Sequence, residues 1–180
     1  MKIAIGTTFI KRLLPAVIVA VFAFFIALLA VTGIHWAAFK QTPEQPIAFS
    51  HKIHISRVGL ECTHCHQYVE RSPRAGIPPL ATCMECHRAV ATDRPEIQKL
   101  TGYWEREQPV PWNRVYTMRK RKYVYFTHKR HIKAGVECIN CHGDVGQMDV
   151  MRKVKSLEMG WCITCHRSRG APVDCYTCHK

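Results

Sequence analysis

All ten cysteines of this chain fall into one repeated five-residue pattern. Cys62-Thr63-His64-Cys65-His66, Cys83-Met84-Glu85-Cys86-His87, Cys138-Ile139-Asn140-Cys141-His142, Cys162-Ile163-Thr164-Cys165-His166 and Cys175-Tyr176-Thr177-Cys178-His179 are five copies of C-x-x-C-H. Two thiols at that spacing add to the two vinyl groups of one porphyrin, and the adjacent histidine lies under the ring to ligate its iron. This is the attachment signature of c-type haem. Five pairs with no cysteine left over lead us to expect five covalently attached c-type haems. The rival readings fail on count. A zinc site also uses C-x-x-C pairs, but has no reason to follow each one with histidine. A thioredoxin-like motif would occur once, beside a βαβ pattern, and a disulfide framework needs no uniform spacing.

The N-terminal region sets where such a head would sit. Residues 13–34 contain no charged side chain. Twenty-two residues at about 1.5 Å each span about 33 Å, matching a hydrocarbon core of about 30 Å. Lys2, Lys11 and Arg12 precede the run and hold that end in the cytoplasm, while His35 and Trp36 fall at the outer interface. The apolar run is longer than the centre of a signal peptide and no clean A-x-A site follows it, so a retained anchor is expected. This predicts a single-pass protein of the inner membrane with its head on the periplasmic side.

About 140 residues then remain for five haems, too few for a large aliphatic core. The porphyrins must be the core, wrapped by a mainly irregular chain with short α-helices; the weak periodicity and the many Pro, Gly and basic loop residues agree. The formal charge of +13 does not point to nucleic acid. Five haems bring ten propionates, and most of the basic surplus balances them. The run at 119–122 is read as solvated or propionate-facing, with a docking patch as the alternative.

The head contains an internal repeat. Ile47-Ala48-Phe49-Ser50-His51-Lys52-Ile53-His54-Ile55 is echoed by Val124-Tyr125-Phe126-Thr127-His128-Lys129-Arg130-His131-Ile132, and each continues to Gly-hydrophobe-Glu-Cys. The offset is 77 residues at the histidines and 76 at the cysteines, as in a duplicated module. The expected organisation is a cytoplasmic tip (1–12), a transmembrane helix (13–35), a linker (36–48), a two-haem module (49–88), a connector (89–122) and a three-haem module (123–180). Within the connector a short helix is expected to start near Asp93-Arg94-Pro95-Glu96, and 108–112 reads as extended because of its prolines.

Proximal ligation takes His66, His87, His142, His166 and His179. His51/His54 and His128/His131 are i, i+3 pairs that share a face on a helical turn, so each pair can serve two neighbouring haems as distal ligands. His64, inside a motif, is read as surface, and His35 as interfacial. Four distal histidines serve five irons. The fifth needs a methionine or stays open, with Met148 and Met159 the leading candidates and Met151 behind them; core packing is the ordinary role of each.

F-x-H-x-x-H followed by C-x-x-C-H resembles the class III multihaem cytochromes c. The second module is the closer match, with attachment cysteines spaced 24 (Cys138 to Cys162) and 13 (Cys162 to Cys175) residues apart, much like the small trihaem members. The resemblance implies a multihaem class III cytochrome c-like head on the N-terminal transmembrane helix. It implies pairing of His128 with His142, His131 with His166, His51 with His66 and His54 with His87. The family's histidine ahead of the middle cysteine is missing here, and Met159 stands nearest its place. One span, F-S-H-K-I-H, T-C-M-E-C-H, Y-F-T-H-K-R-H and Met159-Gly160-Trp161-Cys162 also resemble the pentahaem, membrane-anchored cytochrome subunits of alternative complex III. That likeness implies an electron-relay subunit of a quinol:acceptor oxidoreductase, without a substrate site of its own. It implies integral quinol-binding subunits and an iron-sulfur/molybdopterin-like subunit as partners, and a monohaem cytochrome c or terminal oxidase as acceptor. The alternative is a self-contained multihaem quinol dehydrogenase feeding a periplasmic reductase. There the first motif typically continues to a nearby Met, whereas here Gln67-Tyr68-Val69 follows. A reductase of small oxyanions would need an obligatorily open iron.

Overall fold

The structure, a computed structural model, describes residues 7–40, 42–117 and 123–179. The basic run at 119–122 lies outside the described residues. The chain divides into two compact units, Met1–Gln41 and Thr42–Lys180.

The first unit is one helix, α1 (Thr7–Lys40). Its stretch Leu13–Ala37 has a mean hydropathy of 2.9 over an 18-residue window and is long and apolar enough to cross a membrane. The helix runs past both ends of the expected 13–35, because no stop signal lies at either boundary. Pro15 lies inside it and cannot donate to the ladder. The polar Thr32 turns its hydroxyl back to the Leu28 and Leu29 carbonyls, at 2.9 and 3.0 Å. That satisfies the group inside an apolar run.

The second unit has no strand among its described residues. Its helices are short: α2 (Cys62–Cys65), α3 (Leu80–His87), α4 (Pro95–Glu105), α5 (His128–Lys133), α6 (Cys138–His142), α7 (Met159–Ser168) and α8 (Cys175–Cys178). A π-helical turn occupies Ile53–Arg57. The mainly irregular head with short helices and one N-terminal apolar helix is as expected from the sequence.

The repeated Gly-hydrophobe-Glu-Cys has a local cause. Gly59 and Gly135 adopt φ of +83° and +71° and end the histidine-bearing turns. The next residue closes back on the second histidine of each pair: Leu60 N donates to His54 O and Val136 N to His131 O, both at 3.0 Å. Glu61 and Glu137 are then extended, at ψ of 151° and 150°, and set the first cysteine on a new helix.

The aliphatic core is small. Ile47, Met84, Leu100 and Val110 form one buried cluster, flanked by Leu80, Ile97, Tyr103, Trp104 and Trp112. It holds α3 against α4, which carries Pro95 in its first turn as the sequence predicts. Residues 42–48 belong to this packing. Gln45 exchanges hydrogen bonds with the Asn113 backbone at 2.9 and 3.0 Å, and Ala48 N donates to Glu96 at 2.6 Å.

Gly143, directly after His142, has φ +70° and ψ −170°, a region essentially closed to side chains. A Cβ there would also stand 3.0 Å from Val154 Cγ2. Gly143→Ala is therefore expected to destabilise the head by about 1–3 kcal/mol, read as a lower denaturant midpoint.

Candidate functional site

Both histidine pairs are built on a phenylalanine. In the first copy Phe49 lies 4.9 Å from His51, edge-on at 88°, and 4.4 Å from His54, stacked at 23°. In the second, Phe126 lies 4.8 Å from His128 at 88° and 4.6 Å from His131 at 30°. The residue after each phenylalanine supplies a carbonyl to the second histidine: Ser50 O to His54 Nδ1 at 2.8 Å, Thr127 O to His131 Nδ1 at 2.9 Å. The duplication seen in the sequence is thus repeated ring by ring.

Three of these four histidines face a motif histidine. His54 and His87 have ring centroids 6.0 Å apart, His131 and His166 6.0 Å, and His128 and His142 6.4 Å with rings within 13° of parallel. Two imidazoles on opposite sides of one metal, each at about 2.0 Å through nitrogen, put their centroids about 6 Å apart. His51 and His66 are linked electrostatically. Burial pushes the His51 pKa down to about 4, with His66 the next contribution.

The ring nitrogens are sorted as metal ligation requires. His66, His87, His166 and His179 each place Nδ1 on a backbone carbonyl, of Gly76 (2.7 Å), Val90 (3.0 Å), Pro172 (2.7 Å) and Tyr123 (2.7 Å). His128 does the same to Pro73 at 3.0 Å. A carbonyl can only accept, so the proton sits on Nδ1 and Nε2 keeps its lone pair for a metal. His142 is instead packed against the Tyr116 ring at 4.4 Å, and burial lowers its pKa to about 4. Burial also lowers that of His128. For His128 and His142 burial thus favours the neutral form, the form that ligates.

No disulfide joins any of the ten cysteines. Burial raises the pKa of the Cys65, Cys83, Cys138, Cys141 and Cys162 side chains. Among the described residues no three His, Cys, Asp or Glu side chains converge as a closed metal site would need. Large apolar side chains stand bare in the head, among them Tyr176 at 82% and Met159 at 63% exposure. Facing imidazoles and adjacent thiol pairs fit a porphyrin iron.

The two candidate methionines differ sharply. Met148 is 4% exposed. Its carbonyl accepts Lys52 N at 3.1 Å, so it is part of the packing between the two copies. Met159 opens α7, one turn before Cys162, with its side chain free. His64 and His35 are exposed.

Tyr116 was not singled out in the sequence, where nothing marks it. Its hydroxyl accepts Val154 N–H at 3.0 Å and lies 3.4 Å from the Cys141 and Arg152 carbonyls. It therefore ties the connector to the Cys138 site while its ring braces His142. The carbonyls that orient the other histidines are equally invisible in a sequence, since every residue has one. Tyr116→Phe is expected to keep the ring contact and cost about 1 kcal/mol of stability, and Tyr116→Ala to cost more, in guanidinium unfolding.

Comparison with known proteins agrees with this geometry. Residues 124–180 match the family described as cytochrome c7 and related cytochrome c. The chain is also 30% identical over 188 residues to a menaquinone reductase, multihaem cytochrome c subunit, from Nitratidesulfovibrio vulgaris. The match covers 87% of this chain and 89% of that relative.

Proposed function

The chain belongs to the multihaem cytochrome c family, and we propose that within it this protein carries five covalent haems and relays electrons between a membrane quinone pool and a periplasmic redox partner. The observation that carries the reading is the facing of paired and motif histidines at 6.0–6.4 Å in both copies of the repeat. Bound haem supplies one-electron chemistry, its iron alternating between ferric and ferrous. The chain supplies attachment, orientation and exclusion of water. Cys62/Cys65, Cys83/Cys86, Cys138/Cys141, Cys162/Cys165 and Cys175/Cys178 hold the rings, and His66, His87, His142, His166 and His179 ligate from the motif side. His51, His54, His128 and His131 would supply the second ligands of four of the haems. Met159 closes the one attached through Cys175, in preference to Met148. The free Met159 side chain favours this choice, as does the commitment of Met148 to packing. Thioether ligation places that potential above the bis-histidine ones.

Residues 13–35 anchor the chain in the inner membrane with Lys2, Lys11 and Arg12 on the cytoplasmic side and the head in the periplasm. Partners of an alternative complex III-like assembly follow: integral quinol-binding subunits, an iron-sulfur/molybdopterin-like subunit, and a monohaem cytochrome c or terminal oxidase as acceptor. The name of the relative, a menaquinone reductase subunit, favours a second reading in which electrons run the other way and the quinone is reduced.

Intact mass should exceed the 20.7 kDa chain by five haems; an increase matching zinc alone would sink the assignment. Membranes washed in high salt should retain the full chain, and detergent should release it together with partner subunits. In that native preparation a quinol should reduce the haems, whereas reoxidation of prereduced haems by quinone alone identifies the reductase direction. If neither exchange occurs, the quinone link is wrong. Met159→His should lower one of five potentials and abolish a sulfur-to-iron charge-transfer band. If the band persists there and vanishes in Met148→His, the ligand is Met148.

A further inference from the structure

The order of the sites in space differs from their order in the chain. The first two attachment sites share one turn, since His51 and His54 both lie on Phe49 and His54 faces His87 of the Cys83 site. By the repeat, His51 belongs with His66 of the Cys62 site, as His128 faces His142. The third and fourth share another turn in the same way. His128 and His131 lie on Phe126 and face His142 of the Cys138 site and His166 of the Cys162 site.

One loop shows how the two pairs join. His66 Nδ1 donates to Gly76 O at 2.7 Å. Three residues earlier, Pro73 O accepts both the backbone N–H of His128 at 3.1 Å and its Nδ1 at 3.0 Å. Lys129 N adds a bond to Ser72 O at 3.3 Å. The loop therefore carries the motif histidine of the Cys62 site and the paired histidine of the Cys138 site together. The Cys83 site, next to Cys138 in sequence, packs on α4. Its flank is the Arg88 guanidinium over Trp104, at 5.3 Å.

The last site joins at the opposite end. Tyr123 O accepts His179 Nδ1 at 2.7 Å, and Tyr125 N donates to Cys178 O at 2.8 Å, immediately before Phe126. His166 is anchored on Pro172 O, three residues before Cys175.

We propose that the five attachment sites form one unbranched file in the order Cys83, Cys62, Cys138, Cys162, Cys175, so that electrons cross between the modules through their first sites and exchange with partners at the His87 and His179 ends. This rests on the proposed loading with five haems. Each hop oxidises one iron and reduces the next, with no bond or proton moved. A quinol and a one-electron periplasmic acceptor supply and remove the electron at the two ends.

The test is proton nuclear Overhauser contact between haems in the fully reduced, diamagnetic full-length protein in detergent. Each haem is assigned through its own C-x-x-C-H residues. Contacts are expected between the haems at Cys83 and Cys62, Cys62 and Cys138, Cys138 and Cys162, and Cys162 and Cys175. A contact between the Cys83 and Cys138 haems, or none between those at Cys62 and Cys138, overturns the order. The intact mass of the same sample separates the two ideas: fewer than five haems defeats the proposed loading, whereas five haems with other contacts defeats only the file.

Discussion

A metal held between two imidazoles is a demanding constraint, because both rings must meet it through the same nitrogen, uncharged, at one separation. Much of the head is local structure that meets this demand. Phe49 and Phe126 hold the paired rings apart, one edge-on and one nearly stacked. Backbone carbonyls take the Nδ1 proton of seven of the histidines concerned. Such outer contacts fix the tautomer and raise ligand basicity. They are made by loops such as 72–76 and 172, which explains why so irregular a chain still specifies a site. Its loops are shaped by what they accept from histidine rather than by ladder hydrogen bonds.

The same constraint explains the sparse aliphatic packing. Outside the cluster of Ile47, Met84, Leu100 and Val110, the buried apolar residues described are Val69 and Met148. A head of this length cannot be stabilised by so little buried surface, at about 25 cal/mol per Å², against the entropy of ordering it. Porphyrins held by the thiol pairs would supply further buried area. The charge balance points the same way. Among the described residues Lys99 pairs with Glu96 at 2.7 Å and Lys52 with Asp149 at 4.0 Å, and the formal charge of +13 has the sign that propionates would balance.

What was legible in the sequence follows from which features are chemical and which are geometric. Motif cysteines and histidines are chemical and stand out at any conformation. The 76- and 77-residue offsets, the Pro95 helix start and the apolar run of α1 are patterns that a local reading can catch. By contrast, the part played by 42–48 depends on Gln45 meeting Asn113 and Ile47 meeting Leu100, partners more than fifty residues away. Tyr116 matters only because the fold brings it to His142. Met148 and Met159 look equivalent as letters, and the difference between them is burial. Distances across the chain are what a local pattern cannot carry.

A duplicated module normally suggests two units joined where the chain joins them. Here the connector runs from the second site of the first copy to the first site of the second, yet the loop bonds place the two first sites beside each other. The reason lies in the turn that bears each pair. Its second histidine reaches toward a helix later in the same copy, α3 or α7, leaving the first histidine's side open for the other copy. His128 fills that side by capping the 72–76 loop, and Lys52 N on Met148 O and Ser50 Oγ on Asp149, at 3.1 and 2.7 Å, tie the same face. Duplication followed by face-to-face docking gives a continuous file without any new ligand. It also frees the second site of the first copy and the added site at Cys175 to serve as termini, the positions from which electrons can be exchanged with other proteins.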